Sequence, residues 1–460
     1  MPLPPELLQA ISSPGGGGVA LILGAGCSVE APTSIPIASI VSEEVHRHLV
    51  NDGILGDDEC ANPSDLSILA DIVFDRTGSQ RQVVERLLAR YNLKLATANE
   101  GYLIAAALLL ERAISSVITL NFDLALSDAL ATLGAGSVVG IIESPQDLTR
   151  QKGVNVYYLH RNANSDPELW VLRSATLEDE WRQHWEPIIA AHVLTAPVVV
   201  FVGLGTPVAV LIESTRLIRN ALPNARLYQV DPGDPAHSQF FQEAGLDGDR
   251  YIRLSWGAFM DQLSQRLVRE HMERLHQAIR NKIAEDRNHA DDVDSLLTQL
   301  LPLGLVHQGK LRADWLLINN PYRPIDDDTL GLMADLFLAL AMMLRVSGTT
   351  LRFMADGVLE FQRNGRTVAA YVLASGRGHR SISAVEAEIG NRRRRYDRHQ
   401  LTLSGILVGG TSNVARPPTP PADISTGEIV PDDLLGSEGL PIYHVDEVRA
   451  EPTRLGELLP

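Results

Sequence analysis

The chain is poor in cysteine: only Cys27 and Cys60 occur among 460 residues. Two thiols exclude a disulfide framework and a four-cysteine zinc site, and they fit the reducing cytoplasm. Aromatic residues are few, at 5%, so the cores must be built from Leu, Val, Ile and Ala. No charge-free apolar run of about 18 residues occurs, which argues against a membrane span. The opening residues, MPLPPELLQAISSPGGGG, lack the basic start and long apolar stretch of a secretory signal. Positive charge is outweighed too: 40 Lys and Arg face 57 Asp and Glu, a net charge of −17. That excess argues against nucleic-acid binding over the whole surface, although a local basic patch is compatible with it.

What remains is the balance of a folded chain, 45% hydrophobic and 21% charged, long enough for two domains. Residues 1–18 read as a flexible lead-in ending in four glycines. Apolar runs bounded by glycine or polar residues then predict strands at 19–26, 115–123, 154–160, 196–205, 225–231 and 249–255, with 168–173 (ELWVLR) as a further candidate. Helical patterns separate most of them. Alternation of this kind predicts an α/β fold with a doubly wound, Rossmann-like parallel sheet, whose ligands bind beyond the carboxyl ends of the strands. A long helical pattern from Trp256 closes this first domain, 19–288.

A smaller α+β domain is expected over 293–460. It holds a helix at 328–345, a hairpin around Asn364-Gly365, a helix at 383–395 and a strand at 401–409. Residues 416–427 read as a linker or surface loop. Arg392, Arg393, Arg394 and Arg395 end a predicted helix, where cations suit the dipole. The alternative is contact with nucleic acid or an acidic partner, because Arg377, His379, Arg380, Arg398 and His399 lie nearby in sequence. The element order faintly resembles a restriction-endonuclease-like fold, with Asp356 and Glu360 as stand-ins for its metal-binding acids. The acid-x-Lys signature is missing, which implies a non-cutting version used for assembly or partner binding.

Gly24, Ala25, Gly26, Cys27 and Ser28 follow the first strand. Glycines let a backbone turn sharply and approach a pyrophosphate closely, and a following helix N-terminus favours anions. GxGxxG is incomplete, since position 29 is Val. The residues beyond sharpen the picture. GAGCSVEAPTSIP resembles the opening motif of the sirtuin superfamily, with matches at Gly24, Ala25, Gly26, Ser28, Ile35 and Pro36. Thr119-Leu120-Asn121-Phe122-Asp123 is similar to that family's Thr/Gln-x-Asn-x-Asp strand end. Tyr158-Leu159-His160 is similar to the Leu-His of its His-Gly element. Gly203-Leu204-Gly205-Thr206 resembles the turn holding the adenosine half, and Asp231-Pro232 the late Asn/Asp-Pro pair. The resemblance covers roughly residues 19–275.

Two departures bear on activity. The chain cannot supply a zinc ribbon, and the His-Gly pair is His160-Arg161, which removes the backbone freedom of glycine. Both argue against protein deacylation. They resemble instead the sirtuin-like domains of bacterial antiphage-defence proteins that hydrolyse NAD. That resemblance implies NAD as substrate, no zinc, and a catalytic set of Asn121, His160 and Asp123. It further implies nucleotide contacts from Gly24, Ala25, Gly26, Ser28, Gly203, Thr206 and Asp231. A homo-oligomer and a HerA-type ATPase bound through the carboxy-terminal domain are the partners it suggests, with activity gated by assembly. The alternative is a non-catalytic NAD or ADP-ribose sensor that regulates assembly.

Overall fold

In the computed structural model the chain divides into two units, Met1–Leu267 and Val268–Pro460. The residues described are 2–13, 18–174, 176, 185–205, 209–222, 224–282, 290–315, 320–354, 358–375, 403–409 and 442–444. The division falls inside a long helix rather than at the polar break after it. Thr206, Asp356, the predicted helix at 383–395 with its arginine cluster, and residues 416–427 lie outside the described residues.

The first unit is built on seven strands: β1 (Val19–Leu23), β2 (Ser116–Thr119), β3 (Val139–Ile142), β4 (Val154–Tyr158), β5 (Val198–Val202), β6 (Arg226–Val230) and β7 (Tyr251–Ile252). They form one sheet in the order β3-β4-β2-β1-β5-β6-β7. Every pairing is parallel. Parallel neighbours require crossovers, and α-helices supply them except between β3 and β4, where a 3-10 turn spans Pro145–Arg150. In chain order the helices are α1 (Pro5–Ser12), which precedes the sheet, α2 (Ala38–Asn51), α3 (Leu66–Thr77), α4 (Arg81–Tyr91), α5 (Glu100–Leu110), α6 (Ala125–Thr132), α7 (Glu186–Leu194), α8 (Ala209–Ala221), α9 (Gln239–Ala244) and α10 (Trp256–Lys282), which follows it. Every residue of β1, β2, β4 and β5 is buried, so both faces of the sheet are covered. On one face Ala20, Ile22, Ile118, Tyr157, Val199 and Phe201 share a core with Ile189, Leu211 and Phe240 from α7, α8 and α9.

A second core lies in the long β1–β2 connection. Val45 and Leu49 of α2, Leu69 and Val73 of α3, and Val84 and Leu87 of α4 pack with Trp170 and Leu172. Residues 168–173 are therefore no strand: a 3-10 turn spans Pro167–Leu169, and the apolar side chains beyond it fill this helical lobe. The amino-terminal residues also depart from expectation. Pro5–Ser12 is helical with Leu7 and Ile11 buried, so those eight residues are packed rather than a flexible lead-in.

The second unit has its own core. Met272, Leu275 and Ile279 of α10 pack with residues of α11 (Ala290–Leu300), α12 (Leu305–Trp315) and α13 (Asp327–Ser347). The sheet that joins them comprises β8 (Thr350–Phe353), β9 (Val358–Arg363), β10 (Arg366–Ser375), β11 (Gly405–Gly409) and β12 (Ile442–His444). β8, β9 and β10 are antiparallel, β11 adds to β10 in parallel, and β12 adds to β11 in parallel. The turn between β9 and β10 places Asn364 at φ 54° and Gly365 at φ 73°, the positive pair that suits a tight hairpin. Glu360 is buried in β9, faces Arg352 at 3.7 Å and accepts from Thr367 Oγ1 at 3.3 Å. It is thus engaged by its own sheet. α13 is long and apolar enough to cross a membrane by length and composition, but 67% of its apolar window is buried, which fits a core helix.

Candidate active site

From β1 the chain passes to β2 on one side, and from β5 to β6 on the other. The loops leaving β1 and β5 therefore diverge, and this is where open α/β sheets hold ligands. The crevice floor is made of backbone on backbone. A Cβ at Gly24 would lie 2.6 Å from Gly203 O, and one at Gly26 would lie 2.7 Å from Gly203 Cα. Gly203 itself takes φ +66°, and a Cβ there would meet Cys27 N at 2.8 Å. The amides of these loops are partly spent on each other. Gly24 N donates to Val202 O at 2.9 Å, Gly26 N to Gly203 O at 3.0 Å and Cys27 N to Gly24 O at 3.0 Å. Ala25 and Ser28 bound a single 3-10 turn, and α2 starts only at Ala38. The glycine loop therefore does not open a long helix, and a phosphate here would meet a short turn rather than a helix N-terminus.

Above this floor the ends of β2 and β4 run side by side. Thr119 pairs with Tyr158, and Leu159 N donates to Thr119 O at 3.3 Å. Asn121 and His160 follow at matching positions, and His160 Nδ1 donates to Leu120 O at 3.1 Å. A carbonyl only accepts, so Nδ1 carries the proton and Nε2 the lone pair of a neutral ring. Burial pushes the imidazole down to about 4, with Arg161 adding to the effect against the Leu120 hydrogen bond. Phe122 stacks over Trp170 at 4.2 Å and lies 5.9 Å from the His160 ring, so the helical lobe walls this side.

Asn121 is 7% exposed, and its Nδ2 donates to Gly24 O at 3.0 Å, Tyr102 Oη at 2.9 Å and Ser28 Oγ at 3.2 Å. With the amide so tied, Oδ1 has a fixed direction. Ser28 Oγ donates to Asp123 Oδ2 at 2.8 Å, and Asp123 Oδ1 accepts from Ala125 N at 3.0 Å. Asp123 is thus both a turn residue leading into α6 and a member of the buried cluster. Burial raises its pKa against the Ser28 and Ala125 hydrogen bonds. Asn121, Asp123 and Ser28 therefore form one hydrogen-bonded cluster at the carboxyl end of the sheet, beside Gly24, Ala25, Gly26 and Gly203, and His160 lies on the adjoining strand end in register with Asn121. Asp231 follows β6 and forms a turn instead: its Oδ1 accepts from Gly233 N at 2.7 Å and Tyr251 Oη at 3.2 Å.

Arg161 corrects a sequence expectation. It adopts φ 71°, the left-handed conformation glycine would take, so the backbone shape is kept at a steric cost. Its guanidinium pairs with the buried Glu186 at 3.2 Å and lies 5.6 Å from the Trp185 ring centroid. Sequence reasoning missed three residues behind the cluster: Asn99, Tyr102 and Trp256. A signal existed in Asn99, which caps α5 by accepting from Tyr102 N at 3.1 Å. A cavity of about 310 Å3 lies at the opposite, amino edge of the sheet, lined by Ser116, Lys152, Asn155 and His192 among others. It is remote from these groups.

No family model matches the chain, and no curated protein matches it. Similar solved structures include a mutant Sir2 homologue in complex with 2′-O-acetyl ADP ribose, at 16% identity and a TM-score of 0.35, covering 58% of this chain and 97% of that one. A Sir2 homologue–NAD complex is similar at 17% identity and a TM-score of 0.35, covering 57% of this chain and 92% of that one. A further Sir2 enzyme is similar at 12% identity and a TM-score of 0.34, covering 57% and 96%.

Proposed function

We propose that the first unit is a sirtuin-like NAD glycohydrolase, which binds NAD in the β1–β5 crevice and cleaves it to nicotinamide and ADP-ribose. The observation that carries this reading is the in-register placement of Asn121 and His160 on adjoining strand tips, joined through the His160–Leu120 hydrogen bond. The pyrophosphate would lie over Gly24, Ala25, Gly26 and Gly203, where the absence of side chains lets it approach. Thr206 and Asp231 would serve the adenosine half, and Asp123 with Ser28 the nicotinamide carboxamide.

Nicotinamide is a cationic leaving group, so its departure with the bonding electron pair needs little acid catalysis. The ribose is left with oxocarbenium character, and stabilising that charge is the main task. Asn121 Oδ1, aimed by its anchored amide, would accept from a ribose hydroxyl or the attacking water. His160 Nε2 would take the proton that water loses as its oxygen bonds to C1′. The proton then passes to solvent. A pre-set amide and a neutral imidazole cost no reorganisation when the charge develops.

An unregulated enzyme of this kind would deplete its host of NAD. The second unit is therefore the natural gate, through self-assembly or a HerA-type ATPase, in a bacterial antiphage-defence role inside the cytoplasm. The test is nicotinamide release from NAD by the purified full chain, alone and with such an ATPase. His160→Ala should lower kcat by about 100-fold or more while NAD still binds. Binding of NAD without any nicotinamide release under either condition would leave a sensor and overturn the hydrolase.

A further inference from the structure

The buried cluster does not end at Asn121 and Ser28. Tyr102, on α5 and 1% exposed, places its hydroxyl 2.9 Å from Asn121 Nδ2 and 2.8 Å from Ser28 Oγ. Its ring meets Trp256 edge-on at 5.6 Å. Trp256 is the first residue of α10, and its indole N–H donates to Asn99 Oδ1 at 3.1 Å. Asn99 is 1% exposed, and its Nδ2 donates to Cys27 O at 2.9 Å in the glycine loop. A Cβ at Gly101 would lie 2.1 Å from Trp256 Nε1, so the indole rests directly on the α5 backbone. The next residue of α10 is tied as well: Gly257 N donates to the Glu30 carboxylate at 3.0 and 3.1 Å. The amino end of α10 is thus fastened to the loop after β1 directly through Glu30 and indirectly through Asn99. Through Asn99 and Tyr102 it reaches the amide of Asn121.

Resting on the NAD-cleaving reading, we propose that Tyr102, Asn99 and Trp256 are positioning residues of the site, holding the Asn121 amide and the glycine loop in register. None of the three need touch NAD. Tyr102 fixes which way the Asn121 Oδ1 points, because its hydroxyl takes one of the two Nδ2 hydrogens. Asn99 does the same for the loop, since it shares its two polar atoms between Trp256, the α5 amino end and Cys27 O. Misplacement of a reacting group by about 1 Å can cost about 100-fold in rate, so a network two bonds removed can govern turnover.

Tyr102→Phe removes the hydroxyl that accepts from Asn121 Nδ2 and keeps its ring, and Trp256→Phe removes the indole N–H that donates to Asn99 Oδ1 together with part of its ring system. In the full chain, each should lower kcat about 10-fold or more; Tyr102→Phe should leave the dissociation constant for ADP-ribose within about 3-fold of wild type, whereas Trp256→Phe, which loosens the glycine loop, should raise it further. Hydrogen exchange should also quicken in residues 24–30 and 119–125, which a purely local packing defect at α5 would not produce. Folded variants with wild-type kcat and unchanged exchange in both segments would overturn the proposal. A wild-type chain that releases no nicotinamide would sink the hydrolase reading alone. The exchange measurement would then still decide whether these residues position the pocket.

Discussion

His160 is held as a neutral imidazole by its surroundings. Burial outweighs the Leu120 hydrogen bond and brings the ring from 6.5 to about 4. Between these values the unfolded chain binds a proton that the folded chain refuses. Stability from this residue is therefore fully present above about 6.5 and is lost as pH falls toward 4, by about 3 kcal/mol in all. Asp123 acts with the opposite sign, since its raised pKa favours the folded state while the carboxyl is protonated and disfavours it as pH rises. The expected pH profile of turnover has no inflection at 6.5: kcat at pH 5.5 should match kcat at pH 7. A half-maximal point near 6.5 would show that His160 is not the base or is not buried during turnover. At Arg161 two opposing effects compete. Replacing it by Gly relieves a left-handed residue, worth about 1–2 kcal/mol. The same change strips a buried carboxylate, Glu186, of its partner, which costs about 3–5 kcal/mol. Loss of the ion pair outweighs the relief: Arg161→Gly should destabilise by about 1–4 kcal/mol, and adding Glu186→Gln should restore most of it. Urea midpoints of the two variants would measure this, and an Arg161→Gly chain as stable as wild type would contradict it.

At the scale of elements, what the sequence made legible was whatever local chemistry decides. β1 and β5 are apolar runs closed by glycine, and that pattern marks each as a strand, while their pairing across about 180 residues is visible only in the folded chain. Asn121, Asp123 and His160 were legible through the sirtuin resemblance of the segments that carry them, and their place at strand ends of a parallel sheet supports it. β3 was missed because VGII is four residues long, interrupted by glycine and placed at the sheet margin. ELWVLR alternates like a strand, yet Trp170 and Leu172 answer to α2, α3 and α4, which are far away in sequence. Tyr102 was invisible for a related reason. It sits in EGYLIAAALLL, where a lone hydroxyl among apolar residues reads as core, and only the folded chain brings Ser28 and Asn121 against it. The Arg161–Glu186 pair likewise exists only once α7 has packed.

At the scale of the whole molecule, each unit carries a core of its own. The first rests on Ile22, Ile118, Phe201 and their neighbours, the second on Leu275, Phe337, Leu340 and Tyr371. One helix, α10, begins in the support of the candidate site and ends among the residues of the second core. A ligand confined to the first unit adds its binding energy to that unit, by about 2.7 kcal/mol at a concentration 100 times its dissociation constant. A ligand bound by residues of the first unit alone adds nothing directly to the core of Trp315 and Phe337. Calorimetry of the full chain titrated with ADP-ribose should therefore resolve one transition that climbs with ligand and one that stays in place. A single transition shifting as a whole would mean that the shared helix binds the two units into one cooperative body. Ligand at the strand tips would then be felt as far as α13, and a gate in the second unit would act on the same equilibrium in reverse.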